Sequence, residues 1–218
     1  MELTGKKILF LGDSITEGCG ASDVSKCFVS LIAEHEKADC VNYGIGGTRI
    51  ARQAKASAEA IWDRYYLSRV PEMDEDADVV VVFGGTNDFG HGDAPLGTFE
   101  DRTEDTFYGA LHLLYISLIE KYPKSDIVVL TPLHRLNEDN PYGDGFKEVP
   151  TAELKRYVNI IREVAEYYSL PVLDLFASSG LQPKVPVIQE MYMPDGLHPS
   201  DAGYEILANK IAQFLKTL

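Results

Sequence analysis

The chain has no apolar run that approaches the roughly 20 residues of a membrane-spanning helix, and its sequence gives no reason to place it in a bilayer. Cysteine is scarce. Cys19, Cys27 and Cys40 are three in 218 residues, an odd number without metal-ligand spacing. Incidental thiols in a reducing cytoplasm are the expected state, although any two of them could pair. Positive charge is in deficit: 20 basic against 34 acidic side chains leave a formal charge of −14. Such a surface repels phosphate backbones and anionic membranes, so neither nucleic acid nor membrane is expected as a partner. No repeat, low-complexity tract or linker interrupts the chain, which reads as one domain over residues 1–218 with a single sizeable core. No signal segment is evident either. Ile8-Leu9-Phe10-Leu11 is too short for one and lacks a small-residue cleavage site after it, so it reads as a first core strand and the protein as cytoplasmic.

What is present is an alternation of short apolar runs with helix-period segments. Lys7–Leu11, Cys40–Tyr43, Asp78–Phe83, Asp126–Leu130 and Pro171–Leu175 read as strands. The four valines after Asp78 give a run apolar on both faces, as parallel sheets produce. Phe28–Glu36, Thr103–Lys121, Ala152–Tyr168 and Ser200–Thr217 read as helices with apolar stripes, and Ser200 is placed to cap the last. Strands separated by helices imply right-handed crossovers. The expected fold is therefore α/β, a three-layer α/β/α sandwich on a five-stranded parallel sheet. Its expected order is the flavodoxin-like 2-1-3-4-5, with a ligand crevice at the carboxyl ends of the strands. Two long polar segments, Gly90–Arg102 and Leu133–Thr151, read as loops, the second as a substrate wall beyond strand four.

Four stretches carry residues suited to acyl transfer: Gly12-Asp13-Ser14-Ile15-Thr16-Glu17-Gly18, Asn42-Tyr43-Gly44-Ile45-Gly46-Gly47, Gly84-Gly85-Thr86-Asn87-Asp88 and Asp195-Gly196-Leu197-His198-Pro199. A serine hydroxyl is a weak nucleophile until a base takes its proton. Ser14 follows the first strand at a strand-to-helix turn. Asp195 and His198, three residues apart, are a carboxylate and the imidazole it could orient. The N–H groups of Ser14 and Gly47 and the side-chain amide of Asn87 are candidate donors to an oxyanion, with Gly46 the alternative to Gly47. In the expected order these residues follow neighbouring strands. Each also has a plain structural reading: helix cap for Ser14, turn glycines, turn-forming Asn87, and a capped loop for Asp195 and His198. Asp13 and Asp88 read as turn-fixing residues and His91 as a surface histidine. His134 and Tyr192 are candidate substrate contacts.

Gly-Asp-Ser, Gly85-Thr86-Asn87-Asp88 and Asp-x-x-His, in that order, make the chain resemble the SGNH hydrolases, the GDSL esterase/lipase family, from Gly12 to the last helix. The resemblance implies Ser14 as nucleophile, Gly47 and Asn87 as oxyanion donors, and His198 as base beside Asp195. It also implies an α/β/α fold and no metal or organic cofactor. Thr16 stands where an α/β-hydrolase would need the second glycine of Gly-x-Ser-x-Gly, and a P-loop is absent. The expected function is a serine esterase for short, acetyl-type esters of a polar or carbohydrate alcohol. The alternatives are a lysophospholipase- or thioesterase-type acyl hydrolase, or an ester- or glycan-binding module without turnover.

Overall fold

A computed structural model describes all 218 residues. Five strands form one parallel sheet: β1 (Lys7–Gly12), β2 (Asp39–Gly44), β3 (Val79–Phe83), β4 (Asp126–Leu130) and β5 (Val172–Leu173). Their order is β2-β1-β3-β4-β5, as expected. The helices are α1 (Ser14–Glu17), α2 (Phe28–Glu36), α3 (Tyr66–Arg69), α4 (Thr86–Gly90), α5 (Phe107–Lys121), α6 (Leu154–Tyr167), α7 (Leu175–Ser178), α8 (Pro186–Tyr192) and α9 (Asp201–Leu215).

Strand alternation splits the core in two. Leu9, Leu11, Val80, Val82 and Val129 face α3, α5 and α6. Ile8, Phe10, Val79, Val81, Phe83 and Val128 face α2 and α9. Every residue of β3 is buried, which accounts for its unbroken apolar run. The helical stripes pack as their spacing demands. Phe107, Leu111, Leu114 and Leu118 are buried on α5, Leu154, Val158 and Ile161 on α6, and Tyr204, Leu207, Ile211 and Leu215 on α9.

The differences from the sequence expectation lie at element ends and in the short helices α3, α4, α7 and α8, for which no element was expected. Helix α5 starts at Phe107 instead of Thr103, because the Thr106 side chain accepts the Gly109 N–H and caps the helix there. The fifth strand shrinks from five residues to Val172–Leu173. Asp174 ends it by capping α7 through the Ala177 N–H and accepting from Thr131 and Arg162 as well.

The register β2-β1-β3 places the ends of three strands side by side: Gly12 lies opposite Gly44 on one flank and Phe83 on the other. The segment after β2 is tied to the segment after β3 by Asp88, whose carboxylate accepts the Ile50 and Ala51 N–H groups at 2.9 Å each. Both amides are buried. Asp88→Ala would leave two buried donors without partners, at about 1–3 kcal/mol each. Urea denaturation should show the variant destabilised by about 2–6 kcal/mol. A loss below half a kcal/mol would show that this tie contributes nothing to the fold.

Candidate active site

The first strand ends where a side chain cannot fit. A Cβ on Gly12 would stand 1.9 Å from Thr16 Oγ1, because the chain folds straight back into α1. Asp13 caps that short helix by accepting the Ile15 N–H at 3.0 Å. Gly18, at φ +112°, ends it four residues later. Ser14 is thus held in the first position of a one-turn helix at the carboxyl edge of the sheet.

Ser14 Oγ lies 3.0 Å from His198 Nε2. His198 Nδ1 lies 2.7 Å from Asp195 Oδ2, while Asp195 Oδ1 accepts the N–H groups of Leu197 and His198. Partial burial pushes the Asp195 carboxyl up, but its bonds from His198 and Leu197 outweigh this and hold it below the usual carboxylate range. A carboxylate on Nδ1 places the ring proton there and leaves Nε2 as an acceptor facing the serine.

Contacts far apart in sequence bring these groups together. The buried Tyr204 hydroxyl of α9 lies 3.0 Å from the Ile15 carbonyl and 2.7 Å from that of Cys19. Asp201 accepts from the Ser22 N–H and hydroxyl. The Asp195–His198 turn is braced from its other side. Gly196, at φ +78°, packs so closely on Leu136 that a Cβ would approach it to 2.2 Å, and the Leu136 N–H donates to the Gly196 carbonyl.

The candidate oxyanion donors stand on the adjacent strand ends. The Gly46 N–H donates to Glu17 Oε2 at 2.7 Å and is therefore occupied. The Gly47 N–H, at φ +74°, has no acceptor within the protein. Trp62 covers its other face, 2.5 Å from where a Cβ would stand. Of the two glycines, only Gly47 has an amide to offer. Asn87 is buried on α4, and its Nδ2 donates one hydrogen to the Thr48 carbonyl at 3.0 Å. The second Nδ2 hydrogen has no acceptor within the protein.

The GDSL-like lipase/acylhydrolase family matches residues 10–206. The chain belongs to that family. A solved structure of a Lactobacillus plantarum protein is 29% identical to it, with a TM-score of 0.82 and 98% of each chain covered. The lipase/acylhydrolase of Enterococcus faecalis is 25% identical, with a TM-score of 0.65, covering 97% of this chain and 96% of its own. A two-domain esterase active on acetylated mannans is 23% identical, with a TM-score of 0.63, and the match covers 99% of this chain but 50% of the esterase. No curated protein matches the chain.

The remaining predicted contacts have other neighbours. His134 Nδ1 lies 2.7 Å from Glu138 Oε2, and its ring packs on Phe176 at 3.8 Å between centroids. Tyr192 packs against the α2–α9 core, and its carbonyl accepts the Ser200 N–H at the start of α9. Neither hydrogen-bonds to Ser14, Asp195 or His198. The loop read as a polar wall turns much of its polarity inward. Arg135 is buried and donates to the Thr86 carbonyl, and Lys147 donates to that of Asp88, so the two cations hold the carbonyl-bearing side of α4. His91, read as a surface histidine, contacts Asn87 from four residues away, one helical turn, while Arg49, which meets His91, and Trp62, which covers Gly47, carried no sequence signal. No cluster of three His, Cys, Asp or Glu side chains suited to a metal ion occurs, and no helix is long and apolar enough to cross a membrane.

Asp13 is the buried acid of the site. Burial raises its carboxyl to about 6, against the Ile15 N–H and the nearby His198 and Arg69, which favour the charged form. A carboxyl raised above its unfolded value near 3.9 binds its proton more tightly in the native state. Its cost to stability is absent well below pH 4 and fully present above about pH 6. Asp13→Asn keeps the acceptor for Ile15 and removes the charge. From pH 4 to pH 7 the variant should gain stability relative to wild type by about 2 kcal/mol, followed by urea denaturation at each pH. A difference that stays flat across that range would show that this carboxyl is not desolvated.

Proposed function

We propose that the protein is a serine esterase that works through an acyl-enzyme. One observation carries this reading. A serine oxygen lies 3.0 Å from an imidazole braced by a carboxylate, at the end of the strand flanked by those that lead to Gly47 and Asn87, whose N–H and amide hydrogen have no protein acceptor. In the proposed cycle Ser14 Oγ attacks the ester carbonyl and its proton passes to His198 Nε2. The N–H groups of Ser14 and Gly47 and the Asn87 amide stabilise the negative oxygen of the tetrahedral intermediate. Collapse expels the alcohol, which takes the proton from His198. Water, deprotonated by His198, then attacks the acyl-serine and releases the acid, regenerating Ser14. Asp195 stabilises the imidazolium in both halves.

A binding module without turnover would need no serine held against a base. Ser14→Ala should fold normally, lose covalent labelling by a fluorophosphonate, and lose nearly all hydrolysis of p-nitrophenyl acetate. A folded variant with wild-type turnover would end the nucleophile assignment.

For the substrate we infer a short acyl group, acetyl above all, on a polar or carbohydrate alcohol. A cavity of about 190 Å³ beside the loop after β2 is lined by Asn42, Tyr43, Gly44, Ile45, Arg64, Arg69 and Glu72, and not by Ser14 or His198. Its polar walls would suit the hydroxyl and ring-oxygen groups of an alcohol that extends past the triad, and would give an alkyl tail little of its about 0.8 kcal/mol per buried CH₂. The likeness to the esterase of acetylated mannans is a likeness of fold and adds nothing to this choice. One feature favours a longer acyl chain: Leu136, packed on the Asp195–His198 turn, and Val187 and Met191 of α8 are exposed. Esters of graded length separate the two. p-Nitrophenyl acetate should exceed the octanoate in kcat/KM, and a maximum at octanoate would assign the acyl group to that apolar surface instead.

A further inference from the structure

Asn87 can serve an oxyanion only if its amide nitrogen, and not its oxygen, faces the reacting carbonyl. The structure contains a device that decides this. Arg49 is buried, and its Nη1 is held by the Ser57 hydroxyl and the Trp62 carbonyl. Its Nη2 lies 2.9 Å from His91 Nδ1. A guanidinium can only donate, so Nδ1 must accept and the imidazole proton must sit on Nε2. His91 Nε2 lies 3.2 Å from Asn87 Oδ1. The Nε2–H therefore donates to the amide oxygen. A flipped amide would set two donors against each other at His91 and two oxygens against each other at Thr48. Both ends of the amide are thus specified, by His91 on the oxygen and by the Thr48 carbonyl on one hydrogen of the nitrogen.

The ring is also kept in the right protonation state. Burial, with the Arg49 charge beside it, lowers His91 to about 4, so it is a neutral donor across the neutral range. Trp62, which backs Gly47, also flanks this imidazole, with ring centroids 6.1 Å apart. One aromatic side chain thus adjoins both candidate oxyanion donors or their supports.

We infer that His91 is a positioning residue for the oxyanion hole: Arg49 sets its tautomer, and its Nε2–H fixes the Asn87 amide with the nitrogen toward the substrate carbonyl. The inference rests on the serine-esterase reading and on Asn87 as a donor. A residue acting only through Asn87 has no further effect once Asn87 is gone, which a double-mutant cycle reads directly.

The experiment measures kcat and KM for p-nitrophenyl acetate in wild type, Asn87→Ala, His91→Ala, His91→Gln and the double variant Asn87→Ala/His91→Ala. Thermal unfolding is followed in parallel. Asn87→Ala should lower kcat by a factor on the order of 10²–10³ with KM little changed. His91→Ala should lower kcat by a smaller factor, about tenfold or more, again with KM within twofold. His91→Gln, whose amide can donate to Asn87 and accept from Arg49, should recover most of that loss. In the Asn87→Ala background, His91→Ala should change kcat by less than twofold. Full multiplication of the two losses in the double variant, or His91→Gln as impaired as His91→Ala, overturns the inference. If Asn87→Ala itself leaves kcat intact, the oxyanion reading fails, and that result is distinct from a failure of the His91 relay alone. Should His91→Ala not fold, His91→Gln decides: kcat below a tenth of wild type in a folded protein counts against the relay.

Discussion

A buried guanidinium joins the two halves of the site. Arg69 is almost fully enclosed and lies over the Tyr66 ring, 4.6 Å from its centroid. Its Nη1 donates to the Tyr43 carbonyl at the end of β2, and its Nη2 to the Gly12 carbonyl at the end of β1 and to the Thr48 hydroxyl. Strand ends in a parallel sheet leave carbonyls that no further strand residue can satisfy. One planar cation with several donors answers two of them together and reaches the loop that carries Gly47. The strand that delivers Ser14 and the loop that delivers Gly47 are thereby fixed relative to each other. Burial disfavours the charge, yet an arginine stays protonated, so the cost is met by the acceptors around it.

The segment after β3 is held in a related way. Helix α4 is one turn and a half long, too short to persist through its own hydrogen bonds. Asp88 reaches forward to the amides after the Gly47 loop, while Arg135 and Lys147 hold the Thr86 and Asp88 carbonyls from the loop beyond β4. The long loop that looked like a substrate wall is thus a clasp on the element carrying Asn87. Its backbone also braces the Asp195–His198 turn through Leu136. A loop rich in polar residues need not face a ligand, since buried backbone groups also call for polar partners.

This explains which parts were legible in the sequence. Strands and helices with a strong apolar period were placed to within a few residues, because burial on one face or both dictates that period. The sheet order followed from the alternation of element types, and with it the adjacency of Ser14, Gly47 and Asn87. What escaped the reading depended on contacts across the fold. The early end of β5 reflects Asp174 turning to Thr131 and Arg162, which no local pattern announces. Arg135 and Lys147 belong to the segment read as a substrate wall, since nothing near them in sequence signals the carbonyls they meet. His91 had one local cue, its four-residue spacing from Asn87, which on a helix puts both on one face. Gly46 and Gly47 could not be told apart until Glu17 was seen to occupy the amide of the first.

The same contacts explain why so many buried polar groups gather at one edge of the sheet. Asp13, Asp88, Arg49, Arg69 and Arg135 are all buried, and each arginine keeps an Nε without a partner. A core chosen for stability alone would hold few such groups, because each forfeits solvation that its partners only partly restore. Here they specify direction. Carbonyls, amides and one imidazole are each held by defined partners, so that the donors left over, at Gly47 and Asn87, are free and fixed in orientation. A preorganised donor needs no rearrangement when charge develops on the substrate, and that advantage vanishes if the donor can turn toward a protein acceptor instead. On the proposed serine-esterase reading, the enclosed charges are the framework that keeps these hydrogen-bond donors unsatisfied until a substrate arrives.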